Sequence, residues 1–284
     1  MAEHHDPSAD HRRTRAALAA TAERLVQLLE STRESGARAV LPGWSVADVG
    51  AHVAAVFLAY CSSVSNEDTV DWDELLPTAD LPFGPRMAVV NGRAVAMLGA
   101  QLDGDAAGFL AARTARFLRA TADLAPDAPV ATPWYGPRPA LTVAAATGLL
   151  LSECLVHGRD IARATRRPWR IPPDHAALVL GQAMPIMMPL ALDRTAARDV
   201  DLVLDLTVRG GPRLCLTFRD ATLTVTRDTP PRTPDCRVSA DPVAFLLVAF
   251  HRTPQWRAIA LGHLRATGRR PWLATRLTRL IPSP

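Results

Sequence analysis

Lysine is missing from the 284 residues, so all 32 basic side chains are arginine. They face 28 acidic residues, for a net charge of +4 and a pI near 9.3. No dense basic run with interleaved aromatics occurs, and aromatics make up only 5% of the chain. A nucleic-acid surface is therefore not expected, although an anionic small molecule suits the balance. Cysteine is scarce as well. Cys61, Cys154, Cys215 and Cys236 form no CxxC and no short pairing, which argues against a disulfide framework. They read as reduced, buried thiols of a cytoplasmic protein. Long apolar runs are lacking too. The longest, from about Leu141 to Leu151, falls short of the ~20 residues needed to span a bilayer, so no membrane partner is expected. The N-terminal MAEHHDPSADHRR has no apolar signal-peptide core. Its His4, His5 and His11 read as part of a disordered tail without a task. No internal repeat is evident. What the chain does hold is 48% apolar residues, enough for a large core in a soluble globular protein.

Apolar periodicity predicts a first helix over about 10–35, with Leu18, Leu25, Leu28 and Leu29 on one side. LPGWSV at 41–46 reads as a turn in which Ser45 and Asp48 form a capping box, opening a second helix to about Ser63. Its stripe is Val46, Val49, Val53, Val56, Phe57 and Tyr60, with His52 alongside. An acidic, proline-containing loop at 66–85 is placed over one end of a bundle. A third helical region follows from Arg86 to Ala125, bent or interrupted near Asp103-Gly104. The second proline-rich loop, 126–139, carries Trp134 and Tyr135 and suits a substrate cover or a packed connector equally. Four helices joined by long crossovers describe a bundle.

The fourth helix carries LSECLVHGRDIARA at 151–164. Glu153 and His157 lie one turn apart within a stripe that is otherwise Ala146, Leu149, Leu150, Ile161 and Ala164. The opposite face, Ser152, Arg159, Arg163 and Arg166, reads as solvated. A carboxylate and an imidazole in a core stripe are costly unless paired or joined by a metal ion. Together with His52 they make three candidate ligands on two helices of one bundle.

Beyond a helix that starts at the prolines 172 and 173 and runs to about Leu192, the period changes. Strands are predicted at 200–208, 214–218, 223–225, 236–240 and 264–267, with a turn at Asp220-Ala221. Helices are predicted at 242–250, capped by Asp241-Pro242, at 256–261 and at 271–280. The fold class expected is α+β in two domains: 1–195, a four-helix bundle, and 196–284, a small α+β domain.

PGWSVADVGAHV at 42–53, SECLVHGRDIARATRRPW at 152–169 and CRVSADPVAFLLVAFHRTPQWRAIALGHLRATGRRP at 236–271 resemble the mycothiol-dependent maleylpyruvate isomerase family. The resemblance implies a DinB-like four-helix bundle joined to a sterol-carrier-like domain. It also implies a divalent metal, usually zinc, held by His52, Glu153 and His157, and mycothiol as thiol cosubstrate. Two imidazoles and one carboxylate leave a coordination position open, as a catalytic site requires. A thiol reaching that position would lose its proton to become the nucleophile of an isomerase or an S-transferase.

Asp48, one turn before His52, and Asp160, three residues after His157, are candidates to orient an imidazole; capping and pairing with an arginine are their ordinary readings. A substrate carboxylate would call for an arginine, with Arg86, Arg93, Arg252 and Arg270 as candidates. The family has a glycine before the arginine at the end of the first helix of its second domain, where this chain has His251-Arg252. The alternative from another class is a metal-dependent regulator or a carrier of a small apolar ligand. A monomer or small homo-oligomer is expected.

Overall fold

The computed structural model describes residues 6–65, 67, 69–102, 104–136, 140–227 and 230–282, which leaves His4 and His5 outside the described residues. The chain divides into two compact units, Met1–Ile171 and Pro172–Pro284.

In the first unit, α1 spans Pro7–Ser31. It begins earlier than the apolar pattern suggested, because the Asp6 carboxylate accepts from the Ser8 amide and Pro7 occupies the first turn. His11 is thereby a helix residue only 5% exposed, not part of a disordered tail, and lies in register with buried Thr14, Leu18 and Leu25. A short antiparallel pair, β1 (Ala39–Leu41) and β2 (Trp44–Ser45), leads into α2 (Val46–Val64). The expected capping box is present. Ser45 Oγ accepts from the Asp48 amide at 3.2 Å, and Asp48 Oδ2 accepts from the Ser45 amide at 2.8 Å. α2 is long and apolar enough to cross a membrane by composition, but 61% of that stretch is buried, as befits a bundle core helix.

The acidic loop contains a single helical turn, α3 (Trp72–Leu75), packed on α4 (Phe83–Gln101). The third helical region proves to be two helices. Gly104 takes φ +78°, and Asp105 caps a separate α5 (Ala106–Ala120) by accepting from the Gly108 amide. The paired strands β3 (Pro129–Ala131) and β4 (Ala140–Thr142) then open α6 (Val143–Thr165), whose cap is Thr142. The bundle is α1, α2, α5 and α6, with α4 lying against α2. α6 packs against α1, α2 and the short strands, so it is buried on nearly every side. Its supposedly solvated face is corrected accordingly: Ser152 is fully buried and Arg159 half-buried, while Arg163 and Arg166 are exposed.

The second unit comprises α7 (Pro173–Gln182), α8 (Met184–Leu190), β5 (Leu202–Val208), β6 (Arg213–Arg219), β7 (Thr222–Thr226), β8 (Cys236–Ala240), α9 (Pro242–Ala249), α10 (Gln255–Ala260), β9 (Leu264–Thr267) and α11 (Leu277–Leu280), the last preceded by a 3-10 helix at Pro271–Arg276. The sheet order is β7-β6-β5-β8-β9, with β5 and β8 parallel and the other pairs antiparallel. The units divide after Ile171 and not near residue 195, because α7 packs on α9 and α8 on β7. The helix expected to run to Leu192 breaks at Ala183, where Pro185 withholds an amide donor from a continuing helix. Asp220 and Ala221 turn the hairpin with φ of 52° and 53°, both in the left-handed region. All four cysteines are free and buried.

His251 closes α9 at φ 54°. Its amide donates to Val248 O and the Arg252 amide to Leu247 O, the paired bonds of a Schellman cap. That backbone conformation is the one a glycine adopts without cost, so a glycine would suit this position physically.

Candidate metal centre

Two helices of the bundle supply the site: α2 presents His52, and α6 presents Glu153 and His157. Glu153 Oε2 lies 3.3 Å from His52 Nε2 and 3.1 Å from His157 Nε2. The imidazole rings meet edge to face, with centroids 4.9 Å apart. One ligand atom from each residue falls within 4.8 Å of the others, and among the described residues this is the group of at least three His, Cys, Asp or Glu that could hold a metal ion. Glu153 Oε2 is buried yet makes no hydrogen bond of acceptable geometry, despite its short distances to both imidazoles. Lone pairs converging on a common point, without hydrogen-bond angles between them, are what a cation requires. The side chains are 7%, 18% and 11% exposed for His52, Glu153 and His157, so the cluster is mostly covered.

The charge balance in the metal-free protein follows from this geometry. Burial pushes the Glu153 carboxyl up, but His157 and His52 outweigh it and hold it well below the usual carboxylate range. Burial lowers His157, whereas the Asp160 and Glu153 carboxylates close to its two ring nitrogens raise it to about 9. Asp160 Oδ2 stands 3.4 Å from His157 Nδ1, on the side of the ring away from Glu153. It is therefore placed to orient that imidazole.

Sequence reasoning named Tyr60, Trp134 and Tyr135 but did not bring them together, and gave Trp44 no role. Trp44 lies beside His52 with ring centroids 5.0 Å apart. Tyr60, two turns after His52 on the same helix face, brings its hydroxyl 3.1 Å from that of Tyr135. Trp134 stacks on Trp72 at 5.0 Å and meets Tyr60 edge to face at 5.1 Å. The second proline-rich loop is thus a packed connector at Trp134, which is 4% exposed. Burial, together with the nearby Glu153 charge, pushes Tyr135 up to about 12 although its hydrogen bonds to Tyr60 and Trp134 oppose this. The eight-residue spacing from His52 to Tyr60 was the available signal. Pairing with Tyr135 was not visible, since it depends on how a loop folds back.

Gly158, next to His157, has its own reason. A Cβ there would overlap the ring of Trp169, whose Nε1 donates to Leu155 O at 3.0 Å and whose face carries Arg24 at 4.4 Å. The other candidates separate. Asp48 spends its carboxylate on Ser45, bonding both the amide and the hydroxyl. Arg93 is exposed and donates to the carbonyls of Glu74 and Leu76, tying down α3. Arg86 is 9% exposed on the inward face of α4, with Val90 and Ala94. Arg252 and Arg270 belong to the second unit, where Arg252 donates to Phe250 O and the Arg270 amide to Asp235 O.

Residues 15–162 match the family described as "Mycothiol maleylpyruvate isomerase N-terminal domain". Among solved structures, the chain is similar to a mycothiol-dependent maleylpyruvate isomerase over 93% of both chains, at 15% identity and a TM-score of 0.52. A histidine-to-alanine mutant of that enzyme matches over the same shares at 14% identity and a TM-score of 0.51. A UbiJ-SCP2 ubiquinone synthesis protein matches over 31% of this chain and 72% of its own, at 22% identity and a TM-score of 0.27. The sec-alkylsulfatase Pisa1 from Pseudomonas sp. matches 50% of this chain, which spans only 24% of that enzyme, at 16% identity and a TM-score of 0.32. No curated protein matches in sequence. The two isomerase structures carry the fold: a helical bundle followed by a sheet-containing unit.

Proposed function

Since the chain belongs to the mycothiol maleylpyruvate isomerase family, we propose that it is a cytoplasmic enzyme that activates a low-molecular-weight thiol, mycothiol, toward a small electrophile. The observation that carries the reading is the buried Glu153 oxygen converging with two imidazole nitrogens and lacking a hydrogen bond of its own. A nitrogen-rich set of three protein ligands suits zinc with a position left over. When bound, the cation supplies the positive charge that favours an entering thiol in its thiolate form.

The residues of the chain do the rest. His52 and His157 coordinate only as neutral imidazoles, so the proton held at His157 must leave when the site loads. Asp160, 3.4 Å from Nδ1 of His157, lies on the far side of that ring and would hold it with Nε2 toward the cation. Trp44 and the aromatic group around Tyr60 and Trp134 limit the water around the nucleophile. Arg86, a buried guanidinium on α4, is the arginine we assign to a carboxylate of the electrophile, because a buried charge calls for an anionic partner. In an isomerase, the sulfur adds to a conjugated double bond, the resulting C–C single bond rotates, and elimination restores the double bond and the thiol. In an S-transferase the C–S bond remains in the product. Support for thiol chemistry comes from family membership; the choice between these outcomes belongs to experiment.

The test is elemental analysis of the purified protein and of the His52→Ala and Glu153→Ala variants, followed by thiol consumption with a panel of conjugated and alkylating electrophiles. Stoichiometric metal in the wild type, its loss in both variants and thiol turnover by the wild type alone are expected. Full metal in both variants would refute the ligand assignment. Metal without turnover, and with a cobalt-substituted spectrum unmoved by thiol, would favour a binding protein instead.

A further inference from the structure

Between Pro242 and Pro284 the chain has no Asp or Glu and carries seven arginines: 252, 257, 265, 269, 270, 276 and 279. Of the five large apolar side chains exposed among the described residues, four lie in this same stretch: Trp256 at 70%, Ile259 at 42%, Leu261 at 61% and Trp272 at 63%. Trp256 and Ile259 are on α10, and Leu261 is in the turn that follows it. Trp272 is on the 3-10 helix. The Gln255 side chain ties these elements together, donating to Ala274 O at 2.9 Å and accepting from the Thr278 hydroxyl at 3.1 Å. The two exposed indoles thus sit on adjoining elements. Arg269 is held by buried Asp235 at 3.1 Å. Arg257, Arg265, Arg270, Arg276 and Arg279 are all exposed, and among the described residues no acidic side chain forms an ion pair with them.

Exposed tryptophan and leucine are expensive to leave in water, and unneutralised arginines next to them specify the sign of what covers them. The face of a second copy would bring the same positive charge and repel. A single-stranded nucleic acid would stack on the indoles but has nothing to offer Ile259 and Leu261. An anionic lipid surface satisfies all three: indoles at the headgroup level, aliphatic side chains at the acyl boundary and guanidinium groups on the phosphates. We propose that the face built from α10, the turn after it and the 3-10 helix attaches the protein peripherally to an anionic phospholipid membrane. This departs from the expectation of no membrane partner, which rested on the lack of an apolar span. The arginines, spread along the segment, never form a dense run in sequence.

The test uses the full chain in cosedimentation with vesicles of phosphatidylglycerol and phosphatidylcholine, and with phosphatidylcholine alone. Expected are at least tenfold stronger partitioning on the anionic vesicles, weakening in high salt, and a blue shift of tryptophan emission on binding. The W256S/W272S and R257E/R276E double variants, whose side chains are exposed, should each lose most of the binding while keeping the wild-type melting temperature. Equal partitioning on both vesicles, no partitioning, or wild-type binding by the tryptophan variant would overturn the proposal. So would tight binding of a single-stranded oligonucleotide that the tryptophan variant loses, or a dimer that the same variant converts to monomer.

Discussion

Proton competition at His157 should govern how the site takes up its cation. In the metal-free protein burial lowers this imidazole, but the adjacent Asp160 and Glu153 carboxylates outweigh it and raise its pKa to about 9. At pH 7 the neutral, coordinating form then amounts to roughly one molecule in a hundred, a handicap of about 3 kcal/mol on cation affinity. The direction follows from the raised value: loading releases a proton below pH 9, so affinity rises with pH about tenfold per unit from 7 to 9 and levels off above. Competition titrations against a chromophoric chelator at half-unit intervals of pH measure this slope. Asp160→Asn removes one of the two carboxylates that raise His157. The slope should then flatten at a lower pH, while the plateau affinity drops roughly 10- to 100-fold from loss of the orienting acceptor. Affinity independent of pH between 7 and 9 in the wild type, or an unchanged profile in the variant, would refute the reasoning.

Two further outcomes test the packing. Gly158→Ala forces a methyl into the Trp169 ring, which is pinned by Leu155 O and Arg24, so it should cost about 1–3 kcal/mol and lower the melting temperature by several degrees; an unchanged melt would mean the ring is free to move. Ala221→Gly should stabilise the protein by about 1 kcal/mol, because Ala221 holds φ at 53° in a hairpin turn that glycine enters without strain. Chemical denaturation measures that gain, and a loss of stability would contradict it.

Local chemistry made several features readable from the residues alone. Ser45 and Asp48 specify a capping box that needs nothing beyond four consecutive residues, and it forms as expected. Strands β8 and β9 run over 236–240 and 264–267, where alternation placed them. Asp241-Pro242 starts its helix as a cap and first-turn proline should. The four-residue spacing of Glu153 and His157 put both on one helix face, and His52 was legible as a third polar group beside an apolar stripe. Boundaries that depend on partners were not legible. α7 and α8 go with the second unit because of what they pack against, which no local pattern encodes. α6 is buried on a face whose serine and arginine suggested water, since its neighbours surround it.

The residues alone determined which side chains could be ligands: helical periodicity fixes their angular positions, and ionisable groups in a core stripe demand partners. Only tertiary structure decided that His52 on α2 comes within 3.3 Å of Glu153 on α6, with the His157 ring 4.9 Å from its own, and that Asp160 lies 3.4 Å from His157 while Asp48 stays with Ser45. Tertiary structure likewise laid Tyr135 against Tyr60 and brought scattered arginines and two indoles onto adjoining elements. The reason is physical. Periodicity and capping act over a few residues, whereas a metal centre or a charged face is an agreement between elements a hundred residues apart, reached only when their apolar surfaces pack.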